Sequence, residues 1–151
     1  LPAIPAAIAG GIAITMVETT IKKARFLERM IDVFALDGEV IAARAEVAAH
    51  DERLRGHFRS GTARAVAAAP TVAELLLPFL APGGVAVLQR GRMDEREANA
   101  LADAALMLGG RYQRTIPLEG GRSIVLVEKE AETQLRFPRR IGIPEKRPLC
   151  L

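Results

Sequence analysis

Apolar strand-like runs alternate with helical patterns along most of this chain. The alternation begins at Ile12 and continues to Leu108, and two further strand patterns follow with no helix between them. Strands that alternate with helices pair in parallel, because each helix carries the chain back across one face of the sheet. Two consecutive strands instead form an antiparallel hairpin. The pattern therefore predicts an α/β fold with a doubly wound, mostly parallel sheet and an antiparallel closing strand at its edge.

The individual elements follow from apolar spacing and from glycine and proline turn signals. Thr71 and Glu74 have the spacing of a capping box at a helix start, and Asp94 and Glu97 have the same spacing. Residues 51–59 are charged and give no clear pattern. Helices are predicted at residues 2–9, 20–34, 71–80 and 94–108, one helical turn at 46–49, and strands at 12–17, 39–43, 61–66, 85–89, 111–118 and 123–128.

Composition limits the class of protein. The chain has 151 residues, half of them apolar and only 4% aromatic, so we expect one domain with a core of small aliphatic side chains. No apolar run approaches the roughly 18–20 residues of a membrane span, and the broken apolar segment 1–14 is not expected to be a signal peptide. The single cysteine suits a reducing cytoplasm, and Cys150 with two histidines gives no metal-ligand spacing. Because Leu1 opens a helical pattern already under way, we expect further residues before it.

The C-terminal strap, residues 134–151, is strongly basic. Its five cations face one anion, Glu145, for a local charge of +4, whereas the whole chain carries +3. Three prolines oppose a regular helix and favour extended backbone, and Phe137 and Ile141 are the expected apolar anchors. Such a segment is suited to bind nucleic-acid phosphates, although a solvated disordered tail is the alternative. We treat residues 1–133 as the main domain. The strap cations are Arg136, Arg139, Arg140, Lys146 and Arg147.

Ligands of doubly wound sheets bind at the carboxyl ends of the strands, and two candidate positions follow the first two predicted strands. Glu18 is placed to accept hydrogen bonds from both ribose hydroxyls of a nucleoside, or it is only a carboxylate favoured at a helix N-terminus. The segment Arg44-Ala45-Glu46 offers a backbone N–H and a carboxylate to an adenine edge, or it is a loop with a surface ion pair.

Two further positions follow the next two predicted strands. Arg64 is placed to hold a carboxylate or phosphate bidentately, or it is a surface arginine. Arg90 and Arg92 flank a flexible glycine and provide two cations at the cleft mouth, or they belong to a solvated loop. No Ser/His/Asp or Cys/His set can be assembled, and no phosphate-binding Walker loop is present.

In this order the motifs resemble those of the bacterial small-subunit ribosomal RNA guanine-N7 methyltransferases, also called the glucose-inhibited division protein B family. The resemblance covers the whole chain and is most specific in the strap. The stretches that carry it are Leu1–Pro5, Val17–Leu27, Arg44–Glu46, Thr62–Ala65, Leu80–Gly84, Arg122–Val127 and Arg136–Leu149.

The resemblance implies a Rossmann-like class I methyltransferase whose first strand and glycine-rich loop would precede this chain. It implies S-adenosylmethionine as methyl donor and a guanine in the decoding-region loop of 16S rRNA as acceptor, in naked RNA or in the 30S subunit. No metal, membrane contact or general base is expected, and the protein is expected to be a monomer. By position, the residues implied to contact the cofactor are Leu1, Glu18, Ala45, Glu46 and Arg64.

Within the same resemblance, Arg64 also positions the substrate, and the cations of the Arg90–Arg92 loop and of the strap grip RNA phosphates. Three other functions stay open: a non-catalytic RNA- or ribosome-binding module, a methyltransferase acting on a small molecule or a protein, and a nicotinamide-dependent enzyme. The localised basic strap disfavours a small-molecule or protein substrate, and the closing hairpin disfavours a nicotinamide enzyme.

Overall fold

The computed structural model describes residues 2–64 and 67–151. Strands and helices alternate as predicted, and a hairpin of two strands follows the last long helix. Short 3-10 turns at Leu77–Phe79 and Glu119–Gly121 precede β4 and β6. The elements are α1 Ala3–Gly10, β1 Ile14–Val17, α2 Ile21–Val33, β2 Gly38–Ile41, α3 Ala45–Ala48, β3 Phe58–Arg64, α4 Ala69–Leu76, β4 Leu80–Arg90, α5 Glu95–Met107, β5 Gly110–Leu118, β6 Arg122–Lys129 and α6 Ile143–Lys146.

The strands form a parallel pair, β1 with β2, and a four-stranded sheet of order β3-β4-β6-β5. Strand β3 is parallel to β4, whereas β6 is antiparallel to both β4 and β5. The predicted hairpin is confirmed. Its antiparallel strand, however, lies between β4 and β5 and not at the sheet edge, because the chain returns from β5 into the position next to β4.

Two apolar clusters hold these layers together. The larger cluster packs α4 and α5 on the four-stranded sheet, and Phe137 and Leu149 of the strap belong to it. In the smaller cluster, Leu54 and Phe79 meet Val17 of β1 and the start of β3. The parallel pair is therefore tied to the larger sheet by side-chain packing around the loop after α3.

The predicted apolar face of α2 is confirmed, but less of it is buried by the rest of the protein than predicted. Ala24 is buried, and Leu27, Met30 and Ile31 are half-buried. Phe34, the last residue of the predicted face, is 50% exposed. The described residues thus cover only the part of α2 that faces β1 and β2.

The predicted capping box at Thr71 is wrong. Helix α4 begins at Ala69 with Pro70 in its first turn, where the missing N–H of a proline has no effect on helix bonding. The side chains of Thr71 and Glu74 instead contact the strap. The cap predicted at Asp94 is confirmed, since its carboxylate accepts a 2.8 Å hydrogen bond from Glu97 N.

Two boundaries also differ from the prediction around β3 and β4. Strand β3 begins at Phe58, three residues early, and the last two residues of the predicted strand lie outside the described part. Strand β4 begins at Leu80, so the expected helix stop at residues 82–84 falls inside the strand. Pro78 explains the earlier helix end, because a proline breaks helical hydrogen bonding.

The strap is folded onto the domain. Phe137, Pro138, Pro144 and Leu149 are buried. Residues 143–146 form one helical turn, α6, where the prolines predicted none; Pro144 is tolerated because it occupies the first turn. The anchor predicted at Phe137 is confirmed, whereas Ile141 is 56% exposed and is no anchor.

A buried ion pair fixes the strap to α4. Glu74 is fully buried and accepts hydrogen bonds from the Arg139 main-chain N at 2.8 Å, from Nε at 2.9 Å and from Nη2 at 2.6 Å. Arg139 Nη2 also donates to the carbonyl of Arg147 at 2.8 Å. A buried carboxylate that accepts from both a guanidinium and a main-chain amide is held in one geometry.

Arg55 fixes the beginning of the strap in a different way. Its guanidinium donates to the carbonyl oxygens of Ala49, Thr133, Gln134 and Phe137 at 2.8–3.1 Å. Burial lowers the pKa of Arg55, and the charge of Glu132 opposes this. The side chain thus satisfies main-chain oxygens that would otherwise be left without donors.

Lys129 is buried at the end of β6. Its ammonium donates to the carbonyl of Leu108, at the C-terminus of α5, and to the hydroxyl of Thr133. Burial first, and then the charge of Arg55, lowers the pKa of Lys129 to about 8, although Glu132 acts in the other direction.

Within residues 2–64 and 67–151 no helix is long and apolar enough to cross a bilayer.

Removing Arg139 should destabilise the fold far more than removing an exposed arginine. In Arg139→Ala the Glu74 charge stays buried without its partner, which costs about 3–5 kcal/mol. Arg53→Ala removes an exposed ion pair with Asp51, and such a loss lowers the free energy of unfolding by about 1 kcal/mol or less. Urea unfolding of both variants measures the difference, and equal midpoints would contradict the importance of the Glu74 pair.

Lys129 should make stability rise at alkaline pH. Between pH 8 and 10.5 the unfolded chain binds more protons than the folded one, because the pKa of Lys129 is about 8 when folded and 10.5 when free. Stability therefore increases with pH across this window, by up to about 3 kcal/mol. Unfolding at pH 7.5 and 9.5 should show a larger gain for the wild type than for Lys129→Met, and equal gains would exclude the depressed pKa.

Candidate functional site

The carboxyl ends of β1 and β2 form one edge of the molecule. Val17 lies opposite Ile41 in the parallel register, and Glu18 N donates to the Ile41 carbonyl at 3.1 Å. The chain leaves β2 here and enters α3 at Ala45. The structure therefore brings Glu18 and the segment 44–46 to the same edge, as the sequence predicted for two consecutive parallel strands.

Glu18 occupies the turn between β1 and α2. One carboxylate oxygen, Oε1, accepts a 2.8 Å hydrogen bond from Thr20 N at the start of the helix. Its other oxygen makes no hydrogen bond to a described residue. The carboxylate therefore lies at the start of α2, where a negative charge is favoured, and an acceptor remains at the strand end for a ligand hydroxyl.

Glu46 is engaged on both oxygens. It is 6% exposed; Arg44 donates to Oε1 at 2.9 Å and to Oε2 at 3.2 Å, and Gly142 N of the strap donates to Oε1 at 2.9 Å. Burial acts to raise the pKa of Glu46, but the bonds from Arg44 and Gly142 outweigh it and lower the pKa. The carboxylate is thus ionised and already bound, so an adenine contact at Ala45 or Glu46 would use the main chain.

Arg64 is the last residue of β3. It lies opposite Gln89 of β4, is exposed, and precedes two residues outside the described part. Because β3 and β4 are parallel, Arg64 lies at the same sheet edge as the end of β4, as predicted. Leu1, which the family resemblance also implies as a cofactor contact, lies outside the described residues.

Arg90 is not a free cation at the end of β4. Its Nη2 pairs with Glu97 at 2.5 Å and its Nη1 donates to the Ala67 carbonyl. Glu97 Oε1 also accepts from Ala69 N at 2.7 Å. Arg90 Nε is buried without a partner among the described residues. The side chain therefore joins the end of β4 to the starts of α4 and α5, whereas Arg92 is exposed.

The predicted RNA-binding cations fall into two groups. Arg90 and Arg139 are neutralised by Glu97 and Glu74. Arg136 is exposed, and its guanidinium carbon lies 4.9 Å from the ring centre of Phe137 in a cation–π contact. The remaining exposed cations are Arg92, Arg140, Lys146 and Arg147.

Two open hollows lie near the end of β4. One, of about 500 Å³, is lined by Asp94, Arg96 and Glu97 on one side and by Pro148 and Leu151 of the strap on the other. The other, of about 370 Å³, lies between Arg92 and the β5–β6 hairpin, including Arg122. Glu18 and Glu46 line neither of them.

Sequence reasoning missed Glu74, Arg55 and Gly142, the residues that hold the strap. For Glu74 a signal existed, because a lone acid inside the apolar run 72–80 must find a partner if that run is buried. Arg55 and Gly142 carry no such signal. Within the described ranges, no group of three or more His, Cys, Asp or Glu side chains is placed to hold a metal.

Sequence comparison identifies close relatives. A family model described as "GidB: rRNA small subunit methyltransferase G" matches residues 1–125. A Rubrobacter xylanophilus protein named Ribosomal RNA small subunit methyltransferase G is 39% identical over 145 residues, which is 90% of this chain and 56% of the relative. A protein of the same name from Dehalococcoides mccartyi is 41% identical over 144 residues, 91% of this chain and 61% of its own. The chain thus spans about three fifths of these relatives' length.

Solved structures agree on the fold. A ribosomal protein L11 methylase from Lactobacillus delbrueckii superposes with a TM-score of 0.65 at 13% identity, covering 86% of this chain and 65% of that one. The T. thermophilus 16S rRNA N2 methyltransferase RsmC, bound to AdoMet and guanosine, gives 0.58 at 20% identity, covering 87% and 33%. At these identities the likeness establishes the fold alone, a Rossmann-like class I methyltransferase fold.

The chain therefore has the strand order of a methyltransferase fold, with an acid at the end of β1, an arginine at the end of β3 and a basic strap. Its sequence matches one family over most of its length. This chain belongs to the GidB family, the small-subunit ribosomal RNA methyltransferases G.

Proposed function

We propose that the protein transfers the methyl group of S-adenosylmethionine to N7 of a guanine in the decoding-region loop of 16S rRNA. The observation that carries this proposal is the family match over residues 1–125, a range that includes Glu18, residues 44–46 and Arg64. The names of the relatives agree on a small-subunit ribosomal RNA as the substrate. Such a substrate implies the cytoplasm of a bacterium.

The edge residues fit the proposed cofactor. S-adenosylmethionine has a ribose with two neighbouring hydroxyls, and an acid at the carboxyl end of a parallel strand is suited to accept from them. Glu18 is at such a strand end, and one of its oxygens is not used by the described residues. Leu1 is proposed as a further contact, on the family resemblance alone.

Ala45 and Glu46 would bind the adenine side through their main chain. The carboxylate of Glu46 is hydrogen-bonded to Arg44 and Gly142. It would therefore fix the conformation of residues 44–46 and would not itself contact the adenine. Adenine recognition by main-chain groups requires that this segment be fixed, which the three hydrogen bonds to Glu46 provide.

Arg64 is proposed as the positioning residue between cofactor and acceptor. A guanidinium binds a carboxylate in a bidentate geometry, and the methionine part of the cofactor carries one. In a doubly wound sheet the carboxyl ends of parallel strands open on a common crevice. Arg64 at the end of β3 and Glu18 at the end of β1 are therefore proposed to lie on two sides of one cleft.

The reaction requires orientation more than acid–base chemistry. When bound, the cofactor supplies an electrophilic methyl group on a sulfonium. The N7 lone pair of guanine lies in the ring plane and is free of a proton, so no residue of this chain has to remove one. Transfer of this methyl group to N7 would break one sulfur–carbon bond, form one nitrogen–carbon bond and move the positive charge to the guanine ring. Holding these atoms in line supplies roughly 7–11 kcal/mol in favourable cases.

The exposed cations are proposed to bind the RNA phosphates. Arg136, Arg140, Lys146 and Arg147 lie on the docked strap, and Arg92 lies at the end of β4. We leave Arg90 and Arg139 out of this surface, because carboxylates already neutralise them. The acceptor guanine has to be unpaired or flipped out to reach the cleft. We expect the protein to act as a monomer on free RNA or on the 30S subunit.

Glu18→Ala should weaken cofactor binding and methyl transfer together. Loss of a charged acceptor of two hydroxyls is expected to cost about 1.5–3 kcal/mol, a factor of about 10–100 in the dissociation constant. Calorimetric titration with S-adenosylmethionine and transfer of a labelled methyl group to 16S rRNA measure the two effects. Glu28→Ala on α2 is the matched control, an exposed acid away from the edge.

An unchanged affinity in Glu18→Ala would reject Glu18 as the ribose acid. The same assay decides between the enzyme and a non-catalytic RNA-binding module with this fold, an alternative favoured by the strap's exposed cations. RNA binding by the wild type without any transfer of label would support the module and reject the methyltransferase.

Replacing exposed strap cations should flatten the salt dependence of RNA binding. Each cation that contacts a phosphate of single-stranded RNA contributes about 0.7 to the slope of log affinity against log salt. Arg140→Ala with Arg147→Ala should therefore lower the slope by about 1.4. Anisotropy titrations over a range of KCl concentrations measure it. Arg25→Ala with Arg29→Ala, two exposed cations of α2, should leave the slope unchanged; an equal loss in both doubles would reject a specific role for the strap.

A further inference from the structure

A hydrogen bond joins the strap to the segment 44–46 at the carboxyl end of β2. Gly142 N donates a 2.9 Å hydrogen bond to Oε1 of Glu46. The same oxygen accepts from Arg44 at 2.9 Å, and Glu46 is 6% exposed. A residue 96 positions away in the chain therefore completes the hydrogen bonding of the first turn of α3.

Gly142 has the backbone conformation that this contact needs. Its φ is +75°, a left-handed conformation that costs an L-residue with a side chain about 1–2 kcal/mol. A Cβ at Gly142 would meet no atom within 4 Å. A substitution by alanine therefore strains the turn without causing a collision, and it leaves the Arg44–Glu46 pair in place.

The turn that contains Gly142 is fixed on both sides. Arg139 is bound to Glu74 on the side before it. On the other side, the Thr71 hydroxyl donates to the Pro144 carbonyl at 2.8 Å. Only four residues, 140–143, lie between these two attachments, so the position of Gly142 is set by α4.

Cations that are free to bind phosphates lie in and next to this turn. Arg140 is two residues before Gly142, and Lys146 and Arg147 follow within five residues; all three are exposed. A polyanion bound across them contacts the same short turn whose amide holds Glu46.

We propose that Glu46 is a positioning residue that couples the two ligands: RNA bound on the strap strengthens cofactor binding at residues 44–46, and cofactor strengthens RNA binding. This inference rests on the proposed function. RNA bound across Arg140, Lys146 and Arg147 adds a third attachment to this turn, so the Gly142–Glu46 hydrogen bond opens less often and the main chain of 44–46 is already ordered when the cofactor binds. Linkage makes the two effects equal in size.

The experiment measures the dissociation constant of S-adenosylhomocysteine by calorimetry, on the full chain, with and without a saturating 16S fragment that contains the decoding-region loop. The wild type should bind at least about fivefold more tightly with RNA, the lower range of measured couplings. Glu46→Ala and Gly142→Ala should each reduce the ratio below about twofold. Protection of the Gly142 amide against hydrogen exchange should fall in Glu46→Ala without any ligand.

The matched control is Asp51→Ala. Asp51 also forms an arginine fork with a residue two positions away, Arg53 at 2.9 Å, but it has no hydrogen bond to the strap. It should keep the wild-type ratio. Gly142→Ala keeps the experiment decisive if Glu46→Ala fails to fold.

Each remaining outcome decides a different point. A wild-type ratio of one, with both ligands bound and methyl transfer intact, would overturn the coupling and leave the proposed function standing. A ratio above five that neither variant lowers would overturn the role of Glu46. A wild type that binds no S-adenosylhomocysteine would overturn the coupling and the proposed function together.

Discussion

The Glu74 carboxylate has no access to water, and a buried charge must be paired to be tolerated. Arg139 provides that pair through its side chain and its main-chain amide. This requirement brings the strap onto α4, and it places Phe137 and Leu149 in the same core as the sheet residues. The strap is thus held by the core, and the exposed cations it carries have fixed positions relative to the domain.

The pair also explains how one basic segment serves two purposes. Burial separates the cations of the strap into those that hold it, such as Arg139, and those that face solvent, such as Arg140 and Arg147. The same separation recurs at the end of β4, where Arg90 joins three elements and Arg92 stays exposed. A local charge of +4 counted from the sequence therefore overstates the charge available to a polyanion.

The sequence predicted the order of elements, the closing hairpin and the helix cap at Asp94, because each depends on spacing within a few residues. It failed where a side chain is used by a distant partner: Thr71 and Glu74 have capping spacing but bind the strap 65 to 73 residues away. The sequence also gave no sign that Glu46 is buried, since an acid two residues from an arginine is typical of an exposed ion pair. The candidate positions follow from the ends of the predicted strands, but the roles of Glu18 and Arg64 depend on the family resemblance, because single side chains at strand ends have more than one possible role.

Two arginine forks of equal span show what burial adds to such a pair. Arg53 and Asp51 form a pair with Arg53 mostly in water, and exposed pairs of this kind contribute little to stability. Arg44 and Glu46 have the same geometry, but Glu46 is covered by the strap and receives the Gly142 amide. Loss of that amide would leave a buried oxygen with one donor fewer, so moving the strap away from the end of β2 carries a cost in free energy. A carboxylate that would otherwise form a local surface pair thereby connects the basic surface to the edge where Glu18 lies.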